Sequence, residues 1–139
     1  MSSNIGDLIP RLEGRHVLVV GDLMLDEYVK GDCTRISPEA PVPVIAFESF
    51  RTAPGGVANT ALNVAALGGR ATLLGVTGDD EAGRQLTSAC EDAGIRALAL
   101  RDGGTTTRKV RVLAHQQQLF RLYYERKGGV AGDTITAVL

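Results

Sequence analysis

The residues best equipped for chemistry are Asp22, Asp26, Gly55, Gly56 and Asn59, and they fall in two short stretches. In Gly21-Asp22-Leu23-Met24-Leu25-Asp26, two carboxylates follow an apolar run and can accept hydrogen bonds from hydroxyl groups. In Pro54-Gly55-Gly56-Val57-Ala58-Asn59, a double glycine precedes a helical pattern. Glycine has no Cβ, so the backbone there can take positive φ and let a ligand come close. A helix starting behind it offers unsatisfied N–H groups and the positive end of its dipole. Asn59, one turn in, can donate as well as accept. Together these suit a polyhydroxyl or anionic ligand. Plainer readings stand beside that one: a strand-end aspartate often only caps a turn, asparagines are often just solvated, and short glycine motifs arise by chance. Arg111 and Arg121 form a second pair of interest, since arginine matches phosphate oxygens. A solvated strand face is the commoner origin of such a pattern. His115 sits in a turn with no second ligand nearby, which argues against a metal there.

The elements that must position these residues follow from periodicity. His16 to Asp22 reads as a strand buried on both faces, as in parallel sheets, with Asp22 at its C-terminal end, where ligands bind in open α/β sheets. Tyr28–Arg35 and Val42–Glu48 read as two strands joined by the proline-rich stretch Ile36–Pro41. Pro41 and Pro43 cannot donate to a ladder, so the second of these is expected at an edge. Its apolar residues alternate to both faces, which calls for a partner on each: the main domain across a cleft, and a second subunit. The Gly55-Gly56 turn then feeds a helix whose stripe is Ala58, Ala61, Leu62 and Ala65, with Gly68 at its end. Ala71–Gly78 is a second core strand. Asp79-Asp80-Glu81 opens another helix with buried positions Ala82, Leu86, Ala89, Cys90 and Ala93, ended by Gly94. Cys90 is thereby a core residue rather than a nucleophile. Ile95–Leu100 is a third strand, so the βαβαβ order predicts a parallel sheet with right-handed crossovers. Thr105–Ala114 and Leu119–Glu125 form a hairpin around His115-Gln116-Gln117.

Composition narrows the class. A chain of 139 residues suits one domain, which at this size buries roughly 68–70% of its unfolded surface. Its formal net charge of −1 implies neither a nucleic-acid nor a membrane partner. The N-terminus has no apolar core of a signal peptide, and no apolar run approaches the roughly 20 residues of a membrane span. Cys33 and Cys90 are far apart and read as reduced thiols of a cytoplasmic protein.

Taken in order, these residues resemble the ribokinase-like family of carbohydrate kinases. Gly55-Gly56, Asn59, Ala61, Gly68 and Gly78 fall at the spacing of its N-terminal signature; Val57 departs from it, where Gly, Ala or Pro is preferred. A narrower likeness is to the D-glycero-β-D-manno-heptose 7-phosphate kinases. It is carried by Gly21–Asp26, Arg35-Ile36-Ser37-Pro38-Glu39-Ala40-Pro41-Val42-Pro43-Val44, Pro54–Gly56 and Gln117–Leu122. The resemblance implies an α/β, ribokinase-like fold: a parallel Rossmann-like sheet with flanking helices and a small β lid at about residues 28–50. It implies a phosphorylated sugar substrate held by Asp26, Asp22, Gly55, Gly56 and Asn59, and a homodimer formed through the lid strands. ATP and Mg²⁺ would be held by the full-length parent, whose C-terminal half carries the nucleotide site and the catalytic aspartate. Residues 1–139 are then the truncated, sugar-binding N-terminal portion, with no catalytic residue and no metal ligand of their own. One alternative stays open. Gly132-Asp133-Thr134 superficially resembles the C-terminal motif, so Asp133 is either the N-cap of a further helix or a catalytic base after an internal deletion. A kinase for another sugar, or a non-catalytic sugar-binding or dimerisation module, are the other readings.

Overall fold

A 3₁₀ segment, Ile5–Leu12, leads into seven strands and two helices. In order these are β1 (His16–Val20), β2 (Leu23–Ile36), β3 (Pro43–Gly56), α1 (Val57–Ala66), β4 (Arg70–Thr77), α2 (Glu81–Asp92), β5 (Arg96–Arg101), β6 (Thr107–Ala114) and β7 (Gln117–Tyr124). This computed structural model describes residues 5–126 and 128. Asp133 and the stretch after it therefore lie outside the described residues.

The strands form two sheets. The first is parallel, with order β1-β4-β5, as the alternation of strands and helices predicts. Both helices cover the same face of it, burying Val19, Ala71, Leu73 and Ile95 against Ala58, Ala61, Leu86 and Cys90. The other face is bare, with Leu18 61% and Val20 59% exposed. The expectation that the first strand is buried on both faces is therefore corrected. An apolar run makes both faces suitable for burial, and here only one is covered. On α2, Ala93 is also exposed rather than buried, because it is the C-cap residue, where the chain leaves the helix. The helix ends themselves follow local chemistry. Asp80 caps α2, and Gly68 and Gly94 take positive φ just past the two C-caps, Leu67 and Ala93.

The second sheet has the order β3-β2-β6-β7 and contains the two strands expected to form a lid. Its two long strands run from Leu23 and to Gly56, well beyond the expected residues 28–50, and β6 and β7 widen it to four strands. β3 is an edge strand, as its prolines require. β6 pairs parallel with β2 and antiparallel with β7, across a two-residue turn of His115 and Gln116. Gln117 belongs to the strand rather than the turn, and His115 takes φ 53°.

One carboxylate ties the two sheets together. Asp80 Oδ1 accepts the Gly83 N–H at 2.9 Å and the Thr106 hydroxyl at 2.6 Å, and Oδ2 accepts the Thr106 N–H at 2.9 Å. The Thr106 hydroxyl oxygen accepts the Gly78 N–H at 2.9 Å. The end of β4, the start of α2 and the residue before β6 are thus joined at one point. Gly78 and Gly83 leave room for it: a Cβ on Gly78 would collide with the Gly104 carbonyl, and one on Gly83 would lie 2.7 Å from the Gly78 carbonyl oxygen.

Burial pushes the Asp80 carboxyl up, but the bonds from Thr106 and Gly83, with Arg108 nearby, outweigh it and hold the pKa below its ordinary value. A lowered folded-state pKa contributes stability that is present above the unfolded value and lost as pH falls through the folded one. Asp80→Ala removes a cap and a charged acceptor, so it should cost about 2–3 kcal/mol, seen as a lower urea midpoint at neutral pH. Asp80→Asn should flatten the loss of stability that the native chain shows below about pH 4. An unchanged acid limb in that variant would remove Asp80 from the account.

Candidate functional site

The candidate site is built where the chain passes from β1 into β2 and from β3 into α1. Gly21 and Asp22 follow β1 directly, and β2 starts at Leu23. Along β2, Leu23, Leu25 and Glu27 are buried, so Met24, Asp26 and Tyr28 face the opposite side. β3 runs antiparallel beside it, with Met24 opposite Gly55 and Asp26 opposite Ala53.

Gly55 and Gly56 are not a free turn. They are the last two residues of β3, and α1 begins at the next residue. A sequence reading puts glycines in turns because they weaken strands; here they serve close approach. A Cβ on Gly55 would lie 2.7 Å from Asp26 Oδ2 and 2.9 Å from its Cγ. The Asp26 carboxylate thus rests directly over the Gly55 backbone. Gly56 is the N-cap of α1, at φ 57° and ψ −132°, with no side-chain cap bond. A Cβ there would lie 2.8 Å from the Asp22 carbonyl oxygen. The Val57 side chain occupies the space a Cβ on Gly21 would need, at 2.8 Å, so the departure from the signature is matched by the glycine beneath it.

Asp26 is held from its other side by Arg111, whose Nη1 donates to Oδ1 at 2.7 Å. Both side chains are about one-fifth exposed, at 18% and 21%. The hydrogen bond and charge of Asp26 raise the Arg111 pKa, against the opposing effect of burial. Arg111 also lies over the Tyr28 ring, 5.3 Å from its centroid, and Arg51 covers the same ring at 4.1 Å.

Four of the five expected residues are therefore brought together. Asp26 sits on Gly55, and Asp22 meets Gly56 through its main-chain carbonyl, its own residue being exposed. Asn59 is exposed at the third position of α1, one turn from Gly56, with no contact tying it to Asp26. Arg111 was legible as a basic strand residue but not as the partner of Asp26. The two are 85 residues apart and meet only because β2 and β6 pair. Thr106 carried no signal of its own.

The donor set does not suit a magnesium–nucleotide site. Four of the partly buried carboxylates are already answered, Asp26 by Arg111, Glu27 by Arg108, Asp102 by Arg126, and Asp80 by Thr106 and Gly83, while Asp32 Oδ1 has the His115 imidazole beside it at 3.0 Å. Among the described residues, no three His, Cys, Asp or Glu side chains come together. Nor is any described helix long and apolar enough to cross a membrane.

A parallel sheet with helices on one face, a second four-stranded sheet, and a Gly-Gly strand-to-helix junction under a carboxylate make up part of a ribokinase-like fold. The chain belongs to the pfkB family of carbohydrate kinases, whose profile matches residues 15–129. It is 52% identical over 118 residues to the bifunctional protein HldE of Pseudomonas fluorescens (strain SBW25). That match takes in 84% of this chain but only 25% of the relative, so the chain spans about a quarter of the length of the curated relatives it matches. Among solved structures, the microbiome-derived acarbose kinase Mak1 is 29% identical, with a TM-score of 0.65 over 84% of this chain and 38% of that one. The tetrameric inhibited form of phosphofructokinase-2 from Escherichia coli shares the fold at 21% identity, with a TM-score of 0.67 over 91% of this chain and 40% of that one.

The contact of Asp26 with Gly55 makes a quantitative expectation. Gly55→Ala should destabilise the chain by about 1–3 kcal/mol, because the new methyl group must displace a carboxylate fixed by Arg111. In an Asp26→Ala background the same change should cost less, with a coupling of about 1 kcal/mol in a double-mutant cycle. Additive costs in urea unfolding would mean that the carboxylate does not rest on Gly55 in solution.

Proposed function

We propose that this chain is the sugar-binding, N-terminal portion of an ATP-dependent carbohydrate kinase acting on a heptose 7-phosphate. The product would feed the synthesis of ADP-heptose for the lipopolysaccharide core. The observation that carries the reading is the Asp26 carboxylate, fixed over Gly55 beside an uncapped helix start. A carboxylate in that place can accept hydrogen bonds from sugar hydroxyls. The 52% identity to a bifunctional HldE, together with the Arg35–Val44 motif, supports heptose 7-phosphate over other sugars. Asp22, Gly56 and Asn59 complete the sugar pocket in this reading.

ATP and Mg²⁺ are assigned to the rest of the parent. There the γ-phosphoryl would pass to a sugar hydroxyl, which gives up its proton to a base outside the described residues, and ADP would leave. Catalysis of this kind is mostly positioning and charge stabilisation. The 139 residues alone should therefore show no kinase turnover. Turnover above background that Asp133→Asn abolishes would instead make Asp133 the base. In the full-length parent, Asp26→Ala should lower kcat/KM for the sugar roughly ten- to a hundredfold, the effect of losing a charged hydrogen bond. The KM for ATP should stay the same; a parallel rise in it would mean general damage and not a lost sugar contact.

The lid is also the proposed homodimer contact in a cytoplasmic enzyme. Phe47 and Phe50 on β3, and Phe120 and Leu122 on β7, are 46–67% exposed, which is unusual for large apolar side chains on a single sheet. The free thiols Cys33 and Cys90 accord with a reducing compartment. Sedimentation at tens of micromolar should give a dimer or larger species, weakened by Phe50→Lys. A clean monomer, or association that Phe50→Lys leaves untouched, would remove the lid as the contact.

A further inference from the structure

Among the described residues, the buried polar ones are Glu27, Thr77 and Thr106. Thr77 ends β4 and Thr106 immediately precedes β6, so both stand at the seam between the two sheets. Glu27, on the buried face of β2, takes Arg108 of β6 at 3.2 Å. The charge of Arg108 in turn favours the Asp80 carboxylate at that seam. Buried polar groups that are fully paired rigidify a structure and specify one arrangement of it. Their place in this chain is where one sheet is mounted on the other.

The mounting has two points, each marked by a glycine. A Cβ on Gly75 of β4 would lie 2.6 Å from Leu23 Cγ, at the start of β2. A Cβ on Gly78 would lie 2.7 Å from the Thr106 nitrogen, at the entry to β6. The first point is apolar, with Leu23 and Leu25 in the core beneath α1 and α2. Apolar burial has no preferred direction, so it holds the sheets together without fixing their angle. The second point is directional. The Thr106 hydroxyl donates to Asp80 Oδ1 at 2.6 Å, and its oxygen accepts the Gly78 N–H at 2.9 Å. Asp80 Oδ2 takes the Thr106 N–H as well. A hydroxyl that donates and accepts at once has a fixed orientation.

We infer that Thr106 and Asp80 are positioning residues, which fix the angle between the two sheets and so hold Asp26 in place relative to the start of α1; this rests on the sugar-site reading of Asp26. The candidate site is divided between the sheets. Asp26 and Gly55 belong to the four-stranded one. Asn59 belongs to α1, which packs on the parallel one through Ala58 and Ala61. Strand pairing carries the constraint from the seam to the carboxylate: Thr107 lies opposite Met24, and Lys109 opposite Asp26. A tilt of one sheet on the other would move Asp26 against Asn59 while leaving each sheet intact. Displacements of about 1 Å made far from the reacting atoms can cost on the order of a hundredfold in rate. Neither Thr106 nor Asp80 needs to touch the sugar for this.

Two measurements test it, one of them independent of turnover. In the 139-residue chain, backbone residual dipolar couplings from β2 and β6 should fit the same orientation as those from β4 and α1. Thr106→Val removes both hydroxyl bonds and leaves the Gly78 N–H buried without a partner. In that variant each sheet should still fit by itself, but no longer in common. Thr106→Ser should restore the common fit. Where the valine variant does not fold, Asp80→Asn, which keeps a helix cap, should separate the fits in the same way. A common fit that survives the substitution would overturn the positioning role. In the full-length parent, Thr106→Val should raise KM for the sugar phosphate roughly tenfold, leave KM for ATP unchanged, and add nothing in an Asp26→Ala background. An additive rise in that background, or an equal rise for ATP, would overturn action through Asp26. An Asp26→Ala parent whose KM for the sugar is unchanged would instead overturn the sugar-site reading, and separate fits would then assign the seam to sheet orientation alone.

Discussion

The Asp80 carboxylate determines where the lid lies. It draws three donors from two segments of the chain, while Thr106 passes the connection on to the end of β4. Hydrogen bonds to a charged acceptor are worth about 1.5–3 kcal/mol each, more than a typical helix cap. Thr106 is the residue before β6, so this point fixes the start of that strand. From there the pairing with β2 sets Lys109 beside Asp26 and Arg111 beside Tyr28. The electrostatics around the candidate sugar carboxylate therefore descend from a capping interaction on the far side of the sheet.

Missing side chains shape the site as much as present ones. Gly55 leaves the space into which Asp26 settles, Gly56 lets the Asp22 carbonyl pass, and Gly21 admits Val57. None of these adds packing. They give up stability in exchange for a carboxylate held between a bare backbone and a guanidinium. With each side chain about one-fifth exposed, the Asp26–Arg111 pair avoids the full desolvation cost of a buried ion pair. Removing either partner would strand the other in a half-buried place, so the pair is better understood as a means of orientation than as a source of stability.

Local chemistry was legible in the sequence, and pairing across distance was not. The caps at Asp80, Gly68 and Gly94 follow from residue type and immediate neighbours, as do the parallel order and the edge placement of β3. The register of β2 with β6 leaves no trace in either strand's own pattern, which is why Arg111 read as a solvated strand residue. The double glycine misled in the other direction. Its usual role as a turn hid the fact that the strand continues to Gly56. The apolar run of β1 likewise says that both faces can be buried, but not that α1 and α2 would both choose one of them.

Binding and chemistry impose different demands on such a fold. A sugar hydroxyl needs an oriented acceptor, and a carboxylate fixed within a sheet can be one. Such an acceptor can be pre-organised by strand pairing together with the side chains that pairing brings alongside. Phosphoryl transfer needs in addition a charge-neutralising cradle around the moving group and a base within reach of the attacking hydroxyl. The Asp26 carboxylate is unsuited to that second task because an arginine already fixes its orientation. Asp26, Glu27 and Asp80 are each committed to donors that hold them in place. A carboxylate oxygen already taken by an arginine N–H is not free to turn to a second hydroxyl, so in the proposed reading orienting the sugar and activating it fall to different residues.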